Sequence, residues 1–300
     1  MKILVTGGAG FVGSNLVDAL LAHGHSVRVL DNVSTGKREN VNPGAELVVG
    51  DICDLETVRK AMNGIEYVFH VAAIPRVPLS IERPLETHAA NVDGTLNVLV
   101  AARDAKVRRV IYSASSSAYG DQPTLPLRED MREHPLNPYA LQKWIGEHYC
   151  RLFSELYGLE TVSLRYFNVY GPRMSSEGAY ATVIGIFLRQ RKAGEPLSIA
   201  GDGEQTRDFT HVDDVVRANI LASESNQVGK GEVINIGAGE QHSVNEIARM
   251  IGGPTTAIPA RNAEARDTLA DVTRARELLG WSPAVSFSEG MNGLLAPKEQ

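Results

Sequence analysis

Short apolar runs alternate with stretches of helical spacing through the first half of the chain. Lys2–Thr6 is apolar and stops at Gly7-Gly8-Ala9-Gly10-Phe11-Val12-Gly13, after which Leu16, Leu20 and Leu21 follow at helical spacing; this predicts strand, glycine turn, helix. A second strand is predicted over 26–30, running into Asp31. Further strand-like runs at Glu46–Val49, 67–71 and 109–113 are separated by helical patterns at 55–62 and 94–105. Such alternation predicts an α/β fold with a doubly wound parallel (Rossmann) sheet, and right-handed crossovers gather the strand ends on one side. A strand over 161–166 ends the regular part. Beyond it the spacing predicts a helix over 180–192, a strand over 196–200, a turn at Gly201-Asp202-Gly203 and a returning strand over 233–236. Ser243 is placed as the cap of a helix over Val244–Ile251, and a last helix is read over Thr273–Leu279. The division expected is a nucleotide-binding domain over 1–166, with returns near 208–236, and a smaller ligand-binding α/β cap over 167–300.

Composition narrows the class. Three hundred residues, 43% hydrophobic, suffice for a large core in one α/β domain or two joined ones. With 30 Lys and Arg against 36 Asp and Glu, the net charge of -6 argues against a nucleic-acid partner held by a basic surface. Cys53 and Cys150 make no disulfide framework, and the start of the chain has neither an apolar signal core nor a spanning segment. The expectation is a cytoplasmic protein with no membrane partner. His211-Val212-Asp213-Asp214 fits no zinc spacing, and no metal is expected.

Two stretches carry chemistry. Glycines 7, 10 and 13 let the backbone turn tightly, approach a pyrophosphate and pack the helix on the sheet, with the helix N-terminus facing the phosphates. Asp31 follows where a carboxylate accepts the adenosine ribose hydroxyls and repels a 2′-phosphate, which points to NAD; Lys37 and Arg38 keep an NADP reading open. Asp51-Ile52, Ala72-Ala73 and 113–117 fall at strand ends on the same side, with Asp51 facing the adenine edge or capping the next helix. In the second stretch, Asn137-Pro138-Tyr139-Ala140-Leu141-Gln142-Lys143, Asn137 caps a helix and Pro138 occupies its first position. Tyr139 and Lys143 then share a face, and the helix end and the ammonium are both expected to favour the phenolate, making Tyr139 a candidate base.

In this order, the glycine turn, Asp31, the strand end Ser113-Ala114-Ser115-Ser116-Ser117, Tyr139-x-x-x-Lys143 and the segment 165–173 resemble the extended short-chain dehydrogenase/reductase superfamily, and within it the UDP-hexose 4-epimerases. Through Gly178-Ala179-Tyr180-Ala181, Gly201-Asp202-Gly203-Glu204 and Leu269-Ala270-Asp271 the likeness is strongest to UDP-N-acetylglucosamine 4-epimerases. The resemblance implies an NAD-dependent isomerase with Ser115, Tyr139 and Lys143 as its catalytic residues. It implies a cofactor site of Gly7, Gly10, Phe11, Val12, Gly13, Asp31, Asn32, Asp51, Ile52, Ala72, Ala73, Asn91, Ser113, Tyr166, Tyr139 and Lys143. A UDP-sugar is expected at Ser115, Ser117, Asn168, Ile199, Arg207, Arg261 and Thr268. Dehydrating relatives carry an Asp-Glu pair after the strand-end serine or threonine, whereas this chain has Ser116 and Ser117. Thr268 stands where the family carries a bulky aromatic that restricts the pocket to plain hexoses, so its small size leaves room for an N-acetyl group. Arg261-Asn262-Ala263-Glu264 replaces the family's Arg-x-Gly-Asp. Arg76 could meet a sugar carboxylate, which keeps a UDP-glucuronate 4-epimerase open beside a keto-sugar reductase and a non-catalytic NAD sensor. Apolar outer positions on the helices near 94–105 and 139–153 imply a homodimer built on a four-helix bundle.

Overall fold

The computed structural model describes residues 1–176, 181–260 and 263–296. Its strands are β1 (Lys2–Thr6), β2 (Ser26–Asp31), β3 (Glu46–Val49), β4 (Tyr67–His70), β5 (Arg109–Ser115), β6 (Glu160–Tyr166), β7 (Val169–Tyr170), β8 (Leu197–Ala200), β9 (Thr206–Arg207), β10 (Thr210–His211), β11 (Lys230–Ile236), β12 (His242–Ser243) and β13 (Thr255–Ile258). The helices are α1 (Phe11–Ala22), α2 (Leu55–Ala61), α3 (Val77–Glu82), α4 (Pro84–His88), α5 (Gly94–Asp104), α6 (Pro138–Tyr157), α7 (Val183–Ala193), α8 (Val212–Glu224), α9 (Val244–Ile251), α10 (Thr273–Leu279) and α11 (Phe287–Leu295).

Seven strands form one parallel sheet in the order β11-β6-β5-β4-β1-β2-β3. Alternate side chains point to opposite faces and divide the core in two. Ile3, Val5, Val29, Phe69 and Ile111 pack with Leu16 and Val17 of α1 and Val212 and Val215 of α8. Leu4, Leu30, Val68, Val110 and Tyr112 pack with Val58 of α2, Leu99 of α5 and Phe153 of α6. The seventh strand comes from far along the chain. Arg109 locks this end of the sheet: buried beneath β5, it donates to the carbonyls of Ala222, Ser223 and Ser225 at the end of α8 and to Glu160.

A third core, around Ile184, Phe187, Leu197, Phe209, Ile247 and Phe287, holds the later residues together, with β8 and β13 pairing in parallel beside it. The returning strand starts at Lys230, three residues before the apolar run that marks it in the sequence, and α7 starts at Val183 with Thr182 as its cap. Residues 177–180, on which that helix was expected to begin, lie outside the described residues. The pattern also gave no sign of the short helices α3 and α4, of α11 or of β13. Two of these begin on a proline-containing turn, and β13 is exposed throughout, so it lacks the apolar alternation of a buried strand. Among the described residues no helix is long and apolar enough to cross a membrane.

Candidate functional site

The chain leaves β1 in one direction, through β2 and β3, and after β4 it continues in the other, through β5, β6 and β11. At such a reversal the crossovers diverge and a crevice opens beyond the strand ends. Here a cleft of about 1480 Å³ runs from the glycine turn to the cap. Gly7 has φ +73°, and a Cβ on it would lie 2.7 Å from the Ala72 backbone. A Cβ on Gly13 would lie 2.1 Å from the Gly7 carbonyl oxygen, so any larger residue breaks the turn. Gly10 caps α1 without a side-chain acceptor, which leaves the first N–H groups of the helix to a ligand. The Asp31 carboxylate, at the end of β2, accepts from Ala9 N (2.9 Å) and Val33 N (2.8 Å) and keeps further lone pairs for hydroxyl donors. Val33 reaches it in a left-handed conformation, φ 56°, which a β-branched residue adopts at a cost. Asn32 donates to Asp51 at 2.9 Å beside it. Phe11, Val12, Ile52, Ala72 and Ala73 complete this wall. These residues fit a dinucleotide lying from Asp31 toward the middle of the cleft.

The helix start at α6 sets the other centre. Asn137 Oδ1 accepts from Ala140 N at 2.9 Å, and Tyr139 N donates to Ser80 Oγ at 3.1 Å. Tyr139 faces the cleft with Ser115, which ends β5 and whose hydroxyl acts on the phenol to lower its pKa. Ser115 also shares a 2.6 Å contact with Ser117. One helical turn on, Lys143 is 4% exposed and donates to Ser113 O at 2.8 Å, with its ammonium 5.0 Å from the Tyr112 ring centre. Ser113 Oγ pairs with the Tyr166 hydroxyl at 3.0 Å. Behind Lys143, Glu147 is bound twice by the buried Arg165, at 2.9 and 2.7 Å, and fixes α6 to β6. Burial lowers the Lys143 pKa to about 8, with the Glu147 charge opposing it.

The protonation of Tyr139 runs against expectation. Burial pushes its pKa up, and the Ser115 hydroxyl offsets only part of this. The ammonium of Lys143 is spent on Ser113 O, so helix end and lysine do not by themselves hold the phenol ionised.

On the cap side, Asn168 Nδ2 donates to Asp208 O (3.2 Å) and lies 3.4 Å from Thr268 Oγ1, which places Thr268 on the cleft wall next to Asn168. Arg207 donates to Thr206 O (2.9 Å) and Arg266 O (2.7 Å), with Glu264 3.7 Å away. Arg261 lies outside the described residues. Two expected residues do not line the cleft. Asn91 is 1% exposed and its amide is taken up by Ile74 and Gln142, so it braces the loop after β4 from behind. Ile199 packs into the cap core while its neighbours Ser198 and Ala200 face the cleft, as strand alternation requires. Sequence reading missed the loop carrying Gly36 and Asn40, the Arg173–Ser175 corner and Gln205, all on the wall. The first had a signal: a polar, glycine-containing stretch directly after a strand-ending aspartate.

Residues 3–237 match the family model described as the NAD dependent epimerase/dehydratase family. Over 304 residues the chain is 41% identical to a UDP-glucose 4-epimerase of Mycolicibacterium smegmatis, with 97% of this chain and 96% of the relative covered. A crystal structure of UDP-glucose 4-epimerase from Thermotoga maritima with UDP-glucose superposes with a TM-score of 0.92 at 40% identity, covering 97% of this chain and 96% of that one. A UDP-N-acetylglucosamine 4-epimerase from Methanobrevibacter ruminantium, in complex with UDP-N-acetylmuramic acid, superposes with a TM-score of 0.92 at 35% identity, covering 98% and 96%.

Proposed function

The chain belongs to the NAD dependent epimerase/dehydratase family, and from that premise we propose that it is an NAD-dependent UDP-sugar 4-epimerase, acting on UDP-N-acetylhexosamines, UDP-hexoses or both. The observation that carries this reading is the convergence of Ser115, Tyr139 and Lys143 on one cleft with the glycine turn and Asp31, with serines rather than carboxylates at 116 and 117. Nothing in that arrangement supplies the acid and base pair that elimination of water requires. Inversion by removal and return of the same hydride needs no more than is there.

The turn at Gly10–Gly13 would hold the pyrophosphate of the dinucleotide, Asp31 its adenosine ribose, and Lys143 its second ribose. Bound there, the oxidised dinucleotide supplies a hydride acceptor that gives the hydride back, and a positively charged ring. Tyr139 Oη removes the proton of the sugar's C4 hydroxyl and later restores it. Ser115 Oγ donates to the same sugar oxygen, steadies the charge that develops on it and links it to Ser117. Arg207 and Arg261 are assigned to the diphosphate and Asn168 to the phosphate or sugar. Thr268 leaves space at the sugar for an N-acetyl group. Arg76 on the cleft wall favours UDP-glucuronate as the second reading. Two free cysteines, one of them buried, support a reducing, cytoplasmic setting. Leu141, Leu152 and Leu156 stand exposed on α6 and support pairing of α5 and α6 with a second copy.

Incubation with UDP-glucose, UDP-galactose, UDP-N-acetylglucosamine and UDP-glucuronate, followed by proton NMR of the C4 epimers, tests the reading. At least one interconverts without net change at the reduced-nicotinamide absorbance band. Conversion of none overturns it, and stoichiometric consumption of reduced cofactor identifies a keto-sugar reductase instead.

A further inference from the structure

Outside the cleft, on α1, one carboxylate joins two loops that both line it. Asp18 Oδ1 accepts from Asn42 Nδ2 at 2.8 Å, and Oδ2 accepts from Arg173 Nη2. Asn42 belongs to the loop after β2, whose Gly36, Lys37 and Asn40 face the cleft; Lys37 N and Asn40 Nδ2 both donate to Ala9 O in the glycine turn. Arg173 belongs to the corner after β7, which with Met174 and Ser175 forms the facing wall. A turn before Asp18, Asn15 donates to Pro172 O at 3.1 Å. Arg173 holds φ 69°, a left-handed conformation that a residue with a Cβ adopts only when its surroundings fix it. Asp18 itself does not line the cleft.

Residues of both loops line the cleft in which a ligand between the glycine turn and Asp31 would lie, so parting of the loops would open a way out for it. We propose that Asp18 is a positioning residue that ties the two loops together through α1 and sets how slowly the dinucleotide is released. The inference rests on the NAD-dependent reading above. In an epimerase the hydride must stay on the enzyme until it is returned, so slow release serves the reaction directly.

Asp18→Asn keeps the shape and removes the charge; Asp18→Glu restores it. Protein loaded with radiolabelled NAD is diluted into excess unlabelled NAD, and retained label is followed by rapid filtration. Side chains about one third exposed make a modest ion pair, so release from Asp18→Asn should be faster by about three- to tenfold. Asp18→Glu should recover most of the wild-type rate. Raising salt from about 0.05 to about 0.5 M should speed release from the wild type more than from Asp18→Asn, because only the wild type has the pair to screen. That comparison separates loop tying from a general loosening of the fold. Release from folded Asp18→Asn within twofold of wild type, or Asp18→Glu as fast as Asp18→Asn, overturns the inference while leaving the epimerase reading intact. Wild-type protein that binds no NAD overturns both.

Discussion

Replacing Lys143 by methionine sets the stability of the site against its chemistry. Lys143 is 4% exposed, and among the described residues its ammonium has one hydrogen-bond acceptor, Ser113 O at 2.8 Å. Burial, opposed in part by Glu147, lowers its pKa from 10.5 to about 8. That difference corresponds to about 3 kcal/mol by which folding disfavours the charged form. The unfolded chain holds the proton more tightly, so the cost is fully present below about pH 8 and is relieved as pH rises from about 8 toward 10.5. A methionine of similar length carries no such cost, though it forfeits a hydrogen bond of about 1 kcal/mol that does not depend on pH in this range. Urea unfolding of the cofactor-free proteins should therefore find Lys143→Met more stable than wild type by about 1 to 3 kcal/mol at pH 7. The advantage should shrink by about 2 kcal/mol at about pH 9.5. The Cys53 thiol, pushed up to about 12 by burial, is unaffected by Lys143 and cancels in the comparison; the Cys150 thiol, also pushed up to about 12 by burial, is drawn down in part by the Lys143 charge, so both proteins are compared in a Cys150→Ala background. Turnover should fall by about a thousandfold, within the usual range for loss of acid–base machinery. A stability difference that stays flat between pH 7 and 9.5 would refute the assignment of the cost to a buried charge.

Tyr139→Phe should lower epimerisation by about a thousandfold or more, measured by NMR, while cofactor content per chain stays at the wild-type level. Thr268→Tyr should reduce kcat/KM for UDP-N-acetylglucosamine at least about tenfold more than for UDP-glucose, because the ring fills the space beside Asn168; equal losses would remove Thr268 from the sugar subsite. Asp208 is fully buried and accepts from Ala238, Gly239 and Ala270 N–H groups. Asp208→Asn turns an N–H donor toward those donors and should cost about 1 to 3 kcal/mol in urea unfolding at pH 7.

What the sequence made legible was local. The glycine turn, the strand ending at Asp31 and the cap Asn137 are each decided within a few residues, by steric need at Gly7 and Gly13 and by one side-chain acceptor at Asn137. The parallel sheet followed from alternation of apolar runs, and β11 arrived late for a reason the alternation does not contain: it pairs with β6 across some sixty residues of cap and α8. Asn91 and Ile199 show the limit from the other side. Both sit one residue from the cleft wall, beside Ala90 in one case and Ser198 and Ala200 in the other. A stretch reaching the cleft could be placed from sequence, whereas which residue of it faces inward depended on packing with Gln142 and with the cap core.

Tyr139 and Lys143 carry the same distinction into energetics. Their spacing correctly puts both on the cleft wall, and spacing also suggested that proximity to a cation would ionise the phenol. Proximity is not pairing: the ammonium turns to Ser113 O, and desolvation raises the phenol's pKa and lowers that of the lysine. Both neutral forms are favoured more than in water, so the phenolate that would serve as base is scarce near neutral pH without further help. On the proposed reading, such a base would act when further positive charge enters the cleft beside it, which would tie proton removal to occupancy by the oxidised dinucleotide. Among the described residues Ser115 is the group that lowers the phenol's pKa, so Ser115→Ala should shift the alkaline-favoured limb of the kcat profile to higher pH as well as lowering its plateau. A lowered plateau with an unmoved limb would leave Ser115 as a donor to substrate alone.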